Sequence, residues 1–233
     1  MGTAYGPLIV TSGLLMYLDA ANIRSYSGNG TTWTDLSGNA NHGTIVNSPT
    51  YSSNYKGCFV INGTTQYFTI PAGATPSGTN PFSFSWWFLY TSLGNFGTSG
   101  FIMADSNAIG RMELSVYGGA SSSGPSTTLG YSGNGTSLYF SASYSLYANT
   151  WYNIAFTNTG SSQVYYVNGV AVGSAATSVS WPNSAMNVLG GQNPGSYSGY
   201  MAGNFSIIKT YSRALTSAEI TQNFNSLRYR YGI

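Results

Sequence analysis

Charge is what this 233-residue chain has least of: 5% of its residues are Asp, Glu, Lys or Arg, against about 25% in an ordinary soluble domain. Seven bases and five acids leave a net charge of +2. With no run of Lys or Arg to neutralise a row of phosphates, nucleic-acid binding is disfavoured. The single cysteine, Cys58, cannot staple the fold. Together with the only histidine, His42, it supplies neither a Cys–His nucleophile with a third positioning group nor a zinc site of three or four ligands. Apolar runs such as Trp86–Tyr90 fall far short of the roughly 20 residues of a helical span, so no membrane insertion is expected. The start, Met1 to Pro7, lacks a basic stretch followed by an apolar one, so no secretory signal is read. A chain with one free thiol and no disulfide suits folding in a reducing cytoplasm.

What is present is uncharged polarity and aromatic mass. Ser, Thr and Asn number 80 and Gly 30, while 42% of the chain is hydrophobic and 15% aromatic, enough apolar surface for a sizeable core. Short apolar segments alternate with clusters of Gly, Ser, Asn and Pro, the pattern of strands and turns. Strands are predicted at Leu14–Leu18, Cys58–Ile61, Tyr67–Ile70, Phe82–Tyr90, Phe101–Ala104, Met112–Tyr117, Leu138–Ser141, Trp151–Thr157, Val164–Val167, Met186–Leu189 and Phe205–Tyr211. Phe82, Phe84, Trp86 and Phe88 fall on one side of their strand, and that side must face a core. Asn168-Gly169 tolerates positive φ at both turn positions and predicts a hairpin between Val164–Val167 and Val170–Val172. The stretch Gly118–Gly135 reads as a long loop. Near the end the period changes: Thr216-Ser217-Ala218-Glu219 is a capping-box pattern, and Ile220, Phe224 and Leu227 follow at i, i+4 and i+7. One amphipathic helix, roughly Ser217 to Arg228, is expected, with Arg228 and Arg230 beside its negative C-terminal end.

Gly13-Leu14-Leu15-Met16-Tyr17-Leu18-Asp19-Ala20-Ala21-Asn22 and Thr31-Thr32-Trp33-Thr34-Asp35-Leu36-Ser37-Gly38-Asn39 resemble the start of a concanavalin A-like, laminin-G-type domain. Trp151-Tyr152-Asn153-Ile154-Ala155 with Tyr166-Val167-Asn168-Gly169 resembles its paired central strands, Leu189-Gly190-Gly191 its following turn, and Tyr211 to Ile220 its last strand and helix. The resemblance implies an all-β, concanavalin A-like jelly-roll β-sandwich of two antiparallel sheets with one short C-terminal α-helix. It covers residues 13–233 as a single domain; residues 1–12, which mix Gly2, Gly6 and Pro7 with isolated apolar side chains, read as an extended N-terminal attachment segment. The alternative for the lead is that Leu8-Ile9-Val10 forms an edge strand of its own sandwich. The variant looks most like structural proteins of tailed bacteriophages, cyanophages especially.

A glycosidase needs two carboxyls flanking the scissile bond, and Glu113 and Glu219 are the only glutamates, the latter engaged in the cap. Asp19, Asp35 and Asp105 do not form the acidic strand motif of the fold's hydrolases, so no catalytic residue is assigned and the chain is expected not to be an enzyme. Many relatives carry acids where this chain has Asn62, Thr65, Gln66 and Ser206, and the segment from Asp35 to His42 brings one carboxylate. No cofactor and no metal ligand are expected, calcium included. His42 reads as an exposed turn residue. The candidate ligand contacts are loop residues, Trp181, Gln192, Asn193, Tyr197 and Tyr200, whose rings and amides suit a sugar or a protein partner, or else fold back over the sandwich edge. The expected role is a non-enzymatic virion structural protein, a capsid decoration or tail appendage. It would be assembled in the host cytoplasm, oligomeric, and bound to other virion proteins by contacts insensitive to salt. The alternative is a lectin-like module for host surface glycans.

Overall fold

The computed structural model describes residues 8–75, 80–92, 99–104, 111–115, 126–132, 140–176, 188–191 and 200–233. Strands are numbered in chain order. One sheet runs β14 (Val170–Ala175), β13 (Gln163–Val167), β12 (Trp151–Asn158), β7 (Phe82–Ser92), β16 (Ala202–Tyr211), β5 (Cys58–Asn62) and β4 (Thr50–Ser52). The first strand, β1 (Leu14–Asp19), joins this sheet by pairing the second half of β16, whose first half pairs β5. The other sheet runs β11 (Phe140–Leu146), β10 (Ser126–Ser132), β9 (Arg111–Ser115), β8 (Ser99–Ala104), β15 (Val188–Leu189), β6 (Tyr67–Thr69), β3 (Gly43–Val46) and β2 (Thr32–Trp33). Every recorded pairing is antiparallel, so the molecule is the expected jelly-roll sandwich with one short C-terminal helix, α1 (Ser217–Asn225).

Between the sheets lies a core dominated by aromatic rings, in which Phe82, Phe84, Trp86 and Phe88 of β7 meet Trp33, Phe59, Phe68, Phe156 and Phe205. The alternation in β7 predicts this inward face. The structure buries the other face as well: Trp87 and Leu89 pack with Trp151, Ile207, Phe224, Leu227 and Tyr231 beneath the C-terminal segment. The molecule is therefore layered as sheet, sheet and helix, and β7 is buried on both faces because it lies at the centre of the middle layer. The hairpin turn has Asn168 at φ 51° and Gly169 at φ 80°. It is fastened to the helix, since Thr221 donates its hydroxyl proton to the Gly169 carbonyl.

The capping box forms as read: Thr216 Oγ1 accepts the Glu219 N–H and Glu219 Oε2 accepts the Thr216 N–H. The helix ends sooner than expected. A 3-10 turn over Arg228–Arg230 follows it, and Arg230 turns away from the helix end to bind Asp19 at 2.7 Å. Gly118–Gly135 is not one long loop, because Ser126–Ser132 within it is a strand between β9 and β11. Residues 8–12 of the expected attachment segment make contacts with their own domain. Val10 gives its N–H to Asn223 Oδ1 and takes the Tyr211 hydroxyl, and Gln222 donates to the Leu8 carbonyl, with no strand formed. Residues 1–7 lie outside the described residues. No described helix is long and apolar enough to cross a membrane.

Candidate functional site

The few carboxylates decide what chemistry is open to the molecule. Asp19 is buried at the end of β1, where it takes two hydrogen bonds from the Arg230 guanidinium, one from the Tyr17 hydroxyl and one from the Ala21 N–H. Burial first, then the charge and hydrogen bond of Asp19, push the Tyr17 hydroxyl far above the usual phenol range. Lys209 of β16, opposite Tyr17 in register, is fully buried, and its ammonium nitrogen finds no hydrogen-bond partner among the described residues. Burial pulls it down to about 7, against the attraction of Asp19 and with the repulsion of Arg230. Asp35 accepts from the N–H groups of Tyr17, Ser37 and Asn41 and from the Ser37 hydroxyl. Glu219 is held at about 2, chiefly by Arg213, which grips both its oxygens. Each of these three carboxylates is thus engaged within the fold. Cys58 is buried, and burial raises its thiol, so it is no ready nucleophile.

Two open depressions flank the loop between β1 and β2. That loop is anchored from below. Ser25 Oγ accepts the Asp19 N–H and donates to the Thr34 carbonyl, and the Tyr26 ring packs edge-on against Phe59 at 4.7 Å. Between these anchors and Asp19, the residues Ile23 and Arg24 are pushed into solvent, Ile23 being 76% exposed. On one side of Arg24 a cleft of about 390 Å³ is bordered by Tyr17, Asn22, Ser37 and Asn39, with Leu14 and Leu36 supplying apolar wall. A second, of about 340 Å³, also borders Arg24 and is lined by Ile23, Asn29, Thr31 and Thr32. The Arg24 guanidinium, the Asn22 Nδ2 and the Asn39 Oδ1 have no protein partner among the described residues. A cleft of this size, with donors from a braced loop, an acceptor from the loop after β2 and an apolar wall from Leu14 and Leu36, fits a small polar ligand.

Of the residues singled out from sequence, Trp181, Gln192, Asn193 and Tyr197 lie outside the described residues. Tyr200 is 7% exposed and packs with Tyr67 and Val188, so it is a buried residue of the sandwich edge rather than a free contact. His42 is exposed, as expected, and its Nδ1 accepts the Asp35 N–H. Asn62, Thr65 and Gln66 already bond one another, and Ser206 is engaged separately. Asn62 Oδ1 takes the N–H groups of Thr64, Thr65 and Gln66, and Ser206 joins the Gly57 carbonyl to the Tyr231 hydroxyl. Among the described residues no three His, Cys, Asp or Glu come together. Sequence reading passed over Arg24 because it is one isolated base. Its signal was position, an Arg in a Ser/Gly/Asn loop two residues before a buried ring, Tyr26.

Layering, strand order and the terminal helix define a jelly-roll β-sandwich. Over residues 62–221 the sequence matches the concanavalin A-like lectin/glucanases superfamily, and the chain belongs to it. No curated protein matches it. Among solved structures it resembles domain 4 of the extracellular arabinanase AbnA from Geobacillus stearothermophilus, in complex with arabinotriose. The TM-score is 0.68 at 18% identity, over 92% of this chain and 98% of that one. Trypanosoma rangeli sialidase aligns with 99% of this chain and 36% of its own, at TM-score 0.68 and 16% identity. The binding domain of botulinum neurotoxin serotype D/C aligns with 93% and 53%, at 0.67 and 15%. The chain thus spans one whole arabinanase domain but about a third of the sialidase chain and half of the toxin one. At these identities the likeness is one of fold.

Proposed function

We propose that this protein is a non-catalytic adhesion module that binds host surface glycans through the clefts beside Arg24, carried as a structural component of a bacteriophage particle. The observation that carries the binding role is the pairing state of its polar groups. Asp19, Asp35 and Glu219 are consumed inside the fold, while Arg24 and the neighbouring amides face a cleft on a braced loop. A saccharide offers hydroxyls to such donors and acceptors and a C–H face to a side chain like Ile23. The likeness to an arabinanase domain in complex with arabinotriose supports a sugar as ligand. Among the described residues Asp19, Asp35 and Glu219 are all engaged within the fold, which supports binding without hydrolysis. The particle location, the attachment of residues 1–7 to other virion proteins and the oligomeric state are parts of the proposal that rest on the sequence resemblance.

Two experiments test it. On a glycan array the wild-type protein should retain a defined set of oligosaccharides and Arg24→Ala should lose neutral ones, without release of shorter sugars. Retention of none, or turnover of any, overturns the reading. Quantification of the chain in purified particles tests the location, with a fixed copy number expected and loss on particle purification contradicting it.

A further inference from the structure

Between β4 and β5 two consecutive residues other than glycine occupy the left-handed region, Tyr55 at φ 55° and Lys56 at φ 67°, followed by Gly57 at φ 143°. L-residues resist this conformation, so surrounding contacts must impose it. Gly57 shows how. A Cβ there would lie 2.6 Å from Ala21 Cα and 2.7 Å from the Ala20 carbonyl oxygen, so the turn is pressed against the end of β1. The consequence is the position of Tyr55. Its ring meets Trp151 edge-on at 5.1 Å, Trp151 lies 4.6 Å from Tyr231, and Tyr231 stacks on Trp87 at 4.1 Å. This column of rings, rooted in the layer beneath the helix, fixes a tyrosine that remains 42% exposed.

Beside it stands a second exposed ring. Tyr229 is 65% exposed, and Lys56 Nζ sits 5.0 Å from its centroid. Neither Lys56 nor the adjacent exposed Arg228 has a carboxylate partner among the described residues, because Asp19 and Glu219 are taken by Arg230 and Arg213. A prefixed aromatic ring, a second ring and two uncompensated cations are set within one short surface. Rings present faces to the C–H side of a pyranose, and the cations ask for negative charge. Two cations are too few to track a nucleic-acid backbone.

We propose that the Tyr55–Lys56–Tyr229 surface is a second ligand site, separate from the clefts at Arg24, that binds sugars carrying a carboxylate or sulfate group. The proposal rests on the reading of the protein as a glycan binder, and it adds the class of ligand and a second place of binding.

The test is an array of sialylated, uronate-containing, sulfated and matched neutral oligosaccharides, probed with the wild type and with Lys56→Gln, Lys56→Arg, Tyr229→Ala and Arg24→Ala. Acidic glycans should be retained by the wild type, more weakly as NaCl is raised. Their retention should fall about tenfold in Lys56→Gln and Tyr229→Ala, and persist in Lys56→Arg and Arg24→Ala. Which acidic probes respond distinguishes carboxylate from sulfate. No acidic glycan retained, or acidic retention unchanged by Lys56→Gln and Tyr229→Ala, overturns this site. Neutral glycans lost in Arg24→Ala or kept there bear on the first site alone. Melting temperatures of the variants guard against a folding defect, and recovery by Lys56→Arg separates lost charge from lost structure.

Discussion

Replacing Lys209 with methionine should make the protein more stable at neutral pH, although it deletes one of only seven basic residues. The lysine is fully buried in β16, its amine has no hydrogen-bond partner among the described residues, and its pKa falls from 10.5 in the open chain to about 7 in the fold. Between those values the unfolded state holds a proton that the folded state lacks. Stability therefore rises with pH from about 7 to 10.5, and at pH 7 and below the full penalty is felt. At about 1.4 kcal/mol per pH unit the penalty approaches 5 kcal/mol. Methionine has a similar length and no charge to desolvate. Allowing for relaxation around a buried amine, we expect Lys209→Met to gain about 2–5 kcal/mol at pH 7, a rise in melting temperature of roughly 5–15 °C for a domain of this size. The gain should shrink to near zero by about pH 10.5. Above pH 10 both proteins should lose stability, because burial keeps the Tyr17, Tyr211 and Tyr231 hydroxyls protonated in the fold after they ionise in the open chain. Urea denaturation of both proteins from pH 6 to 11 measures all of this. A methionine variant that is less stable at pH 7, with an unchanged pH slope, would show that the ammonium is charged and stabilising in the fold, and would refute the reasoning.

Gly57→Ala should cost at least about 2 kcal/mol, since a Cβ at φ 143° meets backbone atoms of Ala20 and Ala21 that cannot swing aside; an unchanged urea midpoint would contradict the packing described. Glu219→Gln should cost about 1 kcal/mol at pH 7 through the weakened cap and Arg213 pair, a modest figure because both side chains are partly solvated. The Glu219 pKa is lowered to about 2, so its contribution is present above the open-chain value of 4.5 and lost as pH falls towards 2; in Glu219→Gln the acid limb of the stability curve should flatten accordingly. Chelation should leave the melting temperature unchanged, and a drop with EDTA reversed by Ca²⁺ would show a site that the described amide network does not reveal.

The fold was legible where local chemistry decides it. The aromatic alternation of β7, the Asn168-Gly169 turn and the Thr216–Glu219 cap each carry their instruction within a few residues, and each forms as read. Strands that depend on their neighbours were not. β2, β3 and β4 have two to four residues each, and β10 reads Ser-Thr-Thr-Leu-Gly-Tyr-Ser, whose backbone pairs with β9 and β11 regardless of its polar composition. The outer core was hidden for a similar reason: Trp87 is buried only because the C-terminal segment folds back over it. The bond between Arg230 and Asp19 joins residues 211 apart, and nothing local predicts it. Charge state was the least legible property. A net charge of +2 suggests a featureless surface, yet internal pairing of Asp19 and Glu219 leaves Arg24, Lys56 and Arg228 exposed without carboxylate partners among the described residues.

The central claim, a binding face without catalysis, is tested most directly by NMR. The isotope-labelled chain would be titrated with the strongest neutral oligosaccharide from the array, and the sugar followed in the same tube for a day. The account predicts saturable shifts at the backbone amides of Asn22, Ile23, Arg24, Asn29 and Asn39, abolished in Arg24→Ala, with the oligosaccharide intact. Shifts confined to Trp181, Gln192, Asn193 and Tyr197 with none beside Arg24, or progressive cleavage of the sugar, would contradict it.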